Sequence, residues 1–170
     1  MGAVHTGLYV IMGVSGSGKS LIGAMLARAL DIDFVEGDDL HPPDNLKRMA
    51  AGIPLTDDNR RDWLNRIADR LRDAKRAGIG LVVSCSALKR IYRDLLRSVG
   101  SADLRFVYLA GSPEVLAERM ANRREHFMPA ALLDSQLAIL EEPSQDEHAW
   151  VCDIRDTPET IVADLVGHAA

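Results

Sequence analysis

Short apolar runs alternate with longer amphipathic stretches along the chain, the pattern of a parallel α/β sheet whose strands are joined by helices. The runs at residues 7–12, 33–36, 80–84, 105–109 and 149–153 read as buried strands. After the first of them, Ile22, Met25, Leu26 and Ala29 recur at helical spacing over residues 19–30, so strand one feeds directly into a helix. Trp63, Leu64, Ile67, Leu71 and Ala74 mark a second, longer helix by the same spacing. Two more helix starts are written in Ser112-Pro113-Glu114 and Thr157-Pro158-Glu159. Each joins a capping hydroxyl to a proline at the first helical position and an acid in the first turn. Five strands suffice for a doubly wound sheet. No repeat or linker divides the chain, which predicts one domain over residues 1–170. The polar stretch 122–126, between two predicted helices, predicts a mobile lid within residues 112–136.

Composition narrows the functions open to such a fold. With 170 residues and 47% hydrophobic content the chain can build one real core. A formal charge of −5 and few aromatic residues exclude a general nucleic-acid binder, which needs a basic surface. Any anionic ligand must then be met by local cations. Cys85 and Cys152 each lie in an apolar run and read as reduced thiols. No apolar stretch reaches the length of a membrane span, and the N-terminus lacks the regions of a signal peptide. The expectation is a cytoplasmic protein without membrane or nucleic-acid partners.

The strongest chemical signal follows the first strand. Gly13-Val14-Ser15-Gly16-Ser17-Gly18-Lys19-Ser20 satisfies G-x-x-x-x-G-K-[ST] in full, between a strand and a helix. Glycines let successive N–H groups turn inward on a phosphate, and the helix N-terminus adds its positive end. Lys19 should reach the β and γ phosphates of ATP, and the Ser20 hydroxyl should ligate Mg²⁺. The guanine-reading N-K-x-D motif is absent. The run Leu81-Val82-Val83-Ser84-Cys85-Ser86, where many such proteins carry a metal-binding aspartate, contains no acid. A second metal contact must come from elsewhere.

The second strand runs into Glu36-Gly37-Asp38-Asp39, and period-two geometry puts Glu36 and Asp38 on one face if the strand persists. Strand C-terminal ends gather beside the phosphate loop in a parallel sheet. We assign Glu36 to a water on Mg²⁺ and Asp38 to the hydroxyl proton of an acceptor; the competing reading is a pair of solvated acids at a turn. His41, Arg48 and Arg60 follow, and together suggest an anion pocket.

Several blocks then carry a resemblance: the phosphate loop; Gly37-Asp38-Asp39-Leu40-His41-Pro42-Pro43; Cys85-Ser86-Ala87-Leu88-Lys89-Arg90 with Tyr92-Arg93-Asp94; and His126-Phe127-Met128-Pro129 with Gln136. In this order they resemble the gluconate kinases, over about residues 8–143. The resemblance implies a nucleoside-monophosphate-kinase-like fold with a helical lid, usually in a homodimer. It also implies transfer of the γ-phosphoryl group of ATP to the 6-hydroxyl of D-gluconate. By matching position, Asp38, His41, Arg60, Ser86, Lys89, His126 and Gln136 form or border the acceptor site. Arg119, Arg123 and Arg124 lie in the stretch resembling the lid, where Arg123 best fits a cation for the transferred phosphoryl and Arg124 a contact to substrate. The chain departs from the family pattern at Glu125 (usually glycine), Arg48 (lysine), Glu36 (aspartate) and Leu137 (phenylalanine). Two other readings stay open: a kinase of another small sugar acid or polyol, and a nucleotide-binding module without catalysis.

Overall fold

Residues Leu8–Met12 are buried throughout, because this strand, β1, has a neighbour on each side and helices over the sheet. The structure is a computed structural model, and it describes residues 4–100, 103–122 and 130–170. The other strands are β2 (Asp33–Glu36), β3 (Leu81–Ser84), β4 (Leu104–Ala110) and β5 (Trp150–Asp153), in the order β2-β3-β1-β4-β5. Every pairing is parallel, as predicted. Each strand boundary read from the pattern lies within one residue of the observed one.

Parallel neighbours need crossovers, and helices supply them. The crossovers contain α1 (Lys19–Leu30), α2 (Pro43–Ala50), α3 (Asp57–Ala77), α4 (Arg90–Gly100), α5 (Pro113–Ala121) and α6 (Ala130–Ile139), and α7 (Pro158–Ala169) follows the last strand. The two proline-marked starts are observed: the Ser112 side chain accepts from Val115 N–H and that of Thr157 from Thr160 N–H. Helix α3 begins with a reciprocal box between Thr56 and Asn59 and stops at Gly78, whose φ of 69° is open to glycine at no steric cost. Its inner face sends Trp63, Ile67 and Leu71 into the core, where Leu26 of α1 and Ile11 of β1 are also fully covered. Each such side chain contributes about 1.5–3 kcal/mol by leaving water.

The strand order reverses at β1, whose neighbours β3 and β4 are reached from opposite directions. In such sheets a crevice opens beyond the strand C-termini at that reversal. The phosphate loop lies there.

One expectation fails. Strand β2 stops at Glu36 and a 3-10 turn, Gly37–Leu40, takes over, so Glu36 and Asp38 do not share a strand face. The cause is a close backbone approach. A Cβ on Gly37 would lie 1.9 Å from the Ser84 carbonyl oxygen, and only glycine lets the turn fold down onto β3. Of the predicted lid, α5 and α6 are described. Arg123, Arg124, Glu125 and His126 lie outside the described residues.

Candidate active site

The loop between β1 and α1 has the backbone that a phosphate cradle requires. Gly18 takes φ 95°, and a Cβ built there would meet nothing within 4 Å, so its backbone borders open space. The loop is pinned behind by Gly13 N–H donating to the Ser86 carbonyl (3.2 Å) and within by Ser17 N–H donating to Val14 (3.2 Å). Lys19 Nζ donates to the Val14 carbonyl at 3.1 Å, folding its ammonium back over the loop. The buried Ser17 hydroxyl has no hydrogen-bond partner among the described residues. A cradle with open space, an ammonium and an orphaned hydroxyl fits a bound polyphosphate.

Glu36 supplies the acid that β3 lacks. It pairs in register with Ser84, the residue ending β3. Ser84 Oγ donates to Glu36 Oε1 at 2.5 Å and accepts from Gly37 N–H at 3.1 Å. The other carboxylate oxygen accepts from the Ser20 hydroxyl. The two side chains assigned to Mg²⁺ therefore converge, a hydroxyl and a carboxylate oxygen of the hard-donor type this cation takes.

Asp38 and His41 leave the 3-10 turn toward a cleft of about 530 Å³, including solvent at its mouth. Ser15 and Lys19 of the phosphate loop line it, as do Arg60 of α3, Ser86 after β3 and Gln136 of α6. Seven residues singled out from the sequence thus meet in one place. Gln136 also reaches the loop itself, its Oε1 accepting from Ser15 N–H at 2.7 Å. Arg48 is exposed on α2 and does not line the cleft. Arg119 donates to the Ile154 carbonyl, which ties α5 to the segment after β5.

Trp63 organises this wall of the cleft, although its spacing marked it only as core. Its indole N–H donates to the Gly37 carbonyl at 2.8 Å, and its ring stacks on His41 at 4.1 Å. Asn45 Nδ2 lies 3.2 Å from His41 Nδ1. Burial, with the nearby Arg60 guanidinium second, pushes His41 down to about 4. His41 is therefore a neutral imidazole at pH 7, which changes its part in the predicted anion pocket: it can donate a hydrogen bond but no charge.

Lys89 lines an adjoining cleft that shares Pro54, Leu55, Arg60 and Ser135 with the first. It donates to Asp57 Oδ1 at 3.0 Å. The chain reaches Lys89 through Ala87, held at φ 45°, a strained value for a residue with a Cβ. Arg93 steadies that bend, donating to the Ala87 carbonyl at 2.8 Å. Tyr92, which belongs to the resemblance block of Lys89 but was given no role, and Asp57, which no motif marked, complete this region.

Residues 8–143 match the family described as AAA domain. A gluconokinase of Gluconobacter oxydans (strain 621H) is 45% identical over 159 residues, covering 94% of this chain and 89% of that protein. The thermoresistant gluconokinase of Escherichia coli (strain K12) is 42% identical over 160 residues, covering 94% and 91%. The crystal structure of a gluconokinase from Sinorhizobium meliloti 1021 superposes with a TM-score of 0.88 at 47% identity, covering 98% of this chain and 93% of that one. The chain belongs to the gluconokinase family. The two blocks most particular to the gluconokinase resemblance, at Gly37–Pro43 and Ser86–Lys89, supply Asp38 and His41 to the first cleft and Ser86 and Lys89 to the first and second.

Proposed function

We propose that the chain is an ATP-dependent gluconokinase, converting D-gluconate and ATP to 6-phospho-D-gluconate and ADP. Family membership supports the activity, and one observation carries its mechanism: Lys19 and Asp38 line the same cleft. The acceptor 6-hydroxyl enters between them. Asp38 takes its proton as the oxygen forms a bond to the γ-phosphorus, and the bond from that phosphorus to the β,γ-bridging oxygen breaks. Lys19 and the loop N–H groups neutralise charge on the transferring group and on the departing ADP. Ser20 and Glu36 would hold Mg²⁺, which when bound screens the β and γ phosphates. His41, Ser86 and Gln136 offer hydrogen bonds to acceptor hydroxyls.

Residues 112–136 act as a lid in this reading, with Arg123 at the transferred phosphoryl and Arg124 and His126 closing on the substrate. Its support is the sequence resemblance. The same resemblance supports a homodimer, and the reading of Cys85 and Cys152 as reduced thiols supports a cytoplasmic location. Among the described residues no helix is long and apolar enough to cross a membrane.

The test is direct. The protein is incubated with Mg-ATP and a panel of sugar acids, neutral sugars, shikimate and nucleoside monophosphates, and ADP release is followed. Gluconate-dependent release with 6-phosphogluconate as product is expected. Turnover with another acceptor and none with gluconate would overturn the assignment.

A further inference from the structure

Arg60 is 7% exposed, yet among the described residues its guanidinium forms no ion pair. Its Nη1 donates instead to the Tyr92 hydroxyl at 3.1 Å. A buried cation bonded to a neutral phenol, with the Asp57 carboxylate acting on it only from a distance, keeps part of its desolvation cost, which an anionic ligand would relieve. The Tyr92 hydroxyl in turn donates to Asp57 Oδ1, the same oxygen that accepts from Lys89 Nζ. The Tyr92 ring lies beneath both cations, 5.5 Å from the Arg60 guanidinium carbon and 5.8 Å from Lys89 Nζ.

These groups sit at one end of a line. Asp57, Arg60 and Trp63 recur at i, i+3, i+6 on α3 and so share one face, spanning about 9 Å along the axis. Trp63, with His41 stacked on it and Asp38 beyond, marks one end. Lys89 and Tyr92 mark the Asp57 end, and Arg60 lines both clefts between them. An extended six-carbon acid fits such a track with its two ends chemically distinguished.

We propose that the acceptor lies along α3 with its carboxylate against Arg60 and Lys89 and its 6-hydroxyl at Asp38, and that the Tyr92–Asp57 pair positions those two cations and sets the preference for an acid over a neutral polyol. This rests on the gluconokinase reading. Hydrogen bonds from Tyr92 and then Lys89 hold Asp57 below the ordinary carboxylate range, and its bond to Asp57 raises Lys89. Burial first, and the Asp57 bond second, raise Tyr92. Near neutrality the phenol is thus uncharged, and two cations with one carboxylate leave a single positive charge, the complement of one acceptor carboxylate. Asp57 therefore does more than hold Lys89: it keeps the seat from attracting a more highly charged anion.

The test compares gluconate with gluconamide, its uncharged isostere, as the ratio of their kcat/KM values. Wild type is expected to favour gluconate. Lys89→Gln should cut the ratio about tenfold, the worth of one hydrogen bond to a charged group, and Lys89→Arg should restore most of it. Tyr92→Phe should lower the ratio in the same direction while KM for ATP holds. A merely structural role would slow both acceptors alike and leave the ratio at its wild-type value; that outcome in both Lys89→Gln and Tyr92→Phe overturns the proposal. Should Tyr92→Phe not fold, Asp57→Asn at its half-exposed position takes its place as the test of the pair. Absence of gluconate turnover in the wild type would instead overturn the gluconokinase reading.

Discussion

At the scale of single residues, the cleft assigns different work to neighbouring polar groups by burial. Asp38 keeps 59% of its side chain exposed and is 3.9 Å from His41 Nε2, so it stays accessible to an entering hydroxyl. Asp38→Asn is expected to lower kcat by about 10²- to 10⁴-fold, the usual worth of a general base. ATP binding, read by calorimetry, should hold within a few-fold. Full activity in this variant would remove the base assignment. Gly37→Ala, at the position next to Asp38, should be more damaging to folding than its size suggests. Its Cβ would strike backbone and not a movable side chain. A loss of about 1–3 kcal/mol in urea denaturation is expected, with activity falling as Asp38 shifts.

His41 gives a pH signature. Burial holds it at about 4, against 6.5 for the free side chain, so between those values the unfolded chain binds more protons than the folded one. Stability is then full above pH 6.5 and is lost as pH falls from 6.5 toward 4, by about 3 kcal/mol in all at 1.36 kcal/mol per unit. Chemical denaturation at a series of pH values should show this slope. His41→Gln should flatten it, and an unchanged slope would show that another group is responsible.

At the scale of elements, the stretch before β5 is fastened to α4 by ion pairs of unequal value. Arg93 and Glu147 are 0% and 1% exposed, 2.7 Å apart, with Arg97 joining the same carboxylate at 2.5 Å. Burial favours the neutral acid, but the bonds from Arg93 and Arg97 win and hold Glu147 at about 2. Glu147→Gln should cost about 3–5 kcal/mol in urea denaturation, because it strands a buried guanidinium that also supports the Ala87 bend. Asp146→Asn breaks the neighbouring Arg90 pair at 2.6 Å, but both partners are exposed and no measurable loss is expected. Equal losses in the two variants would contradict this account.

The contrast marks what sequence could tell. Strands, the phosphate loop and the capped starts of α5 and α7 were legible because each is a local pattern: an apolar run, a fixed spacing, a hydroxyl before proline. Arg93 and Glu147 are 54 residues apart, and nothing local to either announces the other. Period-two reasoning misplaced Asp38 for a similar reason, since the turn at Gly37 is imposed by β3. Trp63 looked like core and is core, yet its N–H holds the turn that carries Asp38. Periodicity reports which face is buried and is silent about what the buried face touches.

At the scale of the whole molecule, two anionic substrates must be brought together by a chain of net charge −5, and the two sites share a part. Gln136, on α6, lines the cleft beside Asp38 while its carboxamide oxygen takes the Ser15 N–H of the phosphate loop. In a phosphate cradle that N–H is wanted by a phosphate oxygen, which carries more charge than an amide oxygen and makes the stronger bond. Nucleotide binding should then release the Gln136 carboxamide to the acceptor cleft, where an acceptor hydroxyl can take it up. Each ligand would favour the other's site, and linkage makes the effect reciprocal. Gluconate affinity measured with and without a non-hydrolysable ATP analogue should differ about fivefold or more in wild type. Gln136→Ala, which removes the side chain that both sites use, should bring that difference close to unity. Retention of the full difference in Gln136→Ala would mean that the coupling runs through another element. The thermal shift given by the analogue alone should meanwhile rise in the variant, since the Gln136 carboxamide no longer has to be displaced from Ser15 N–H.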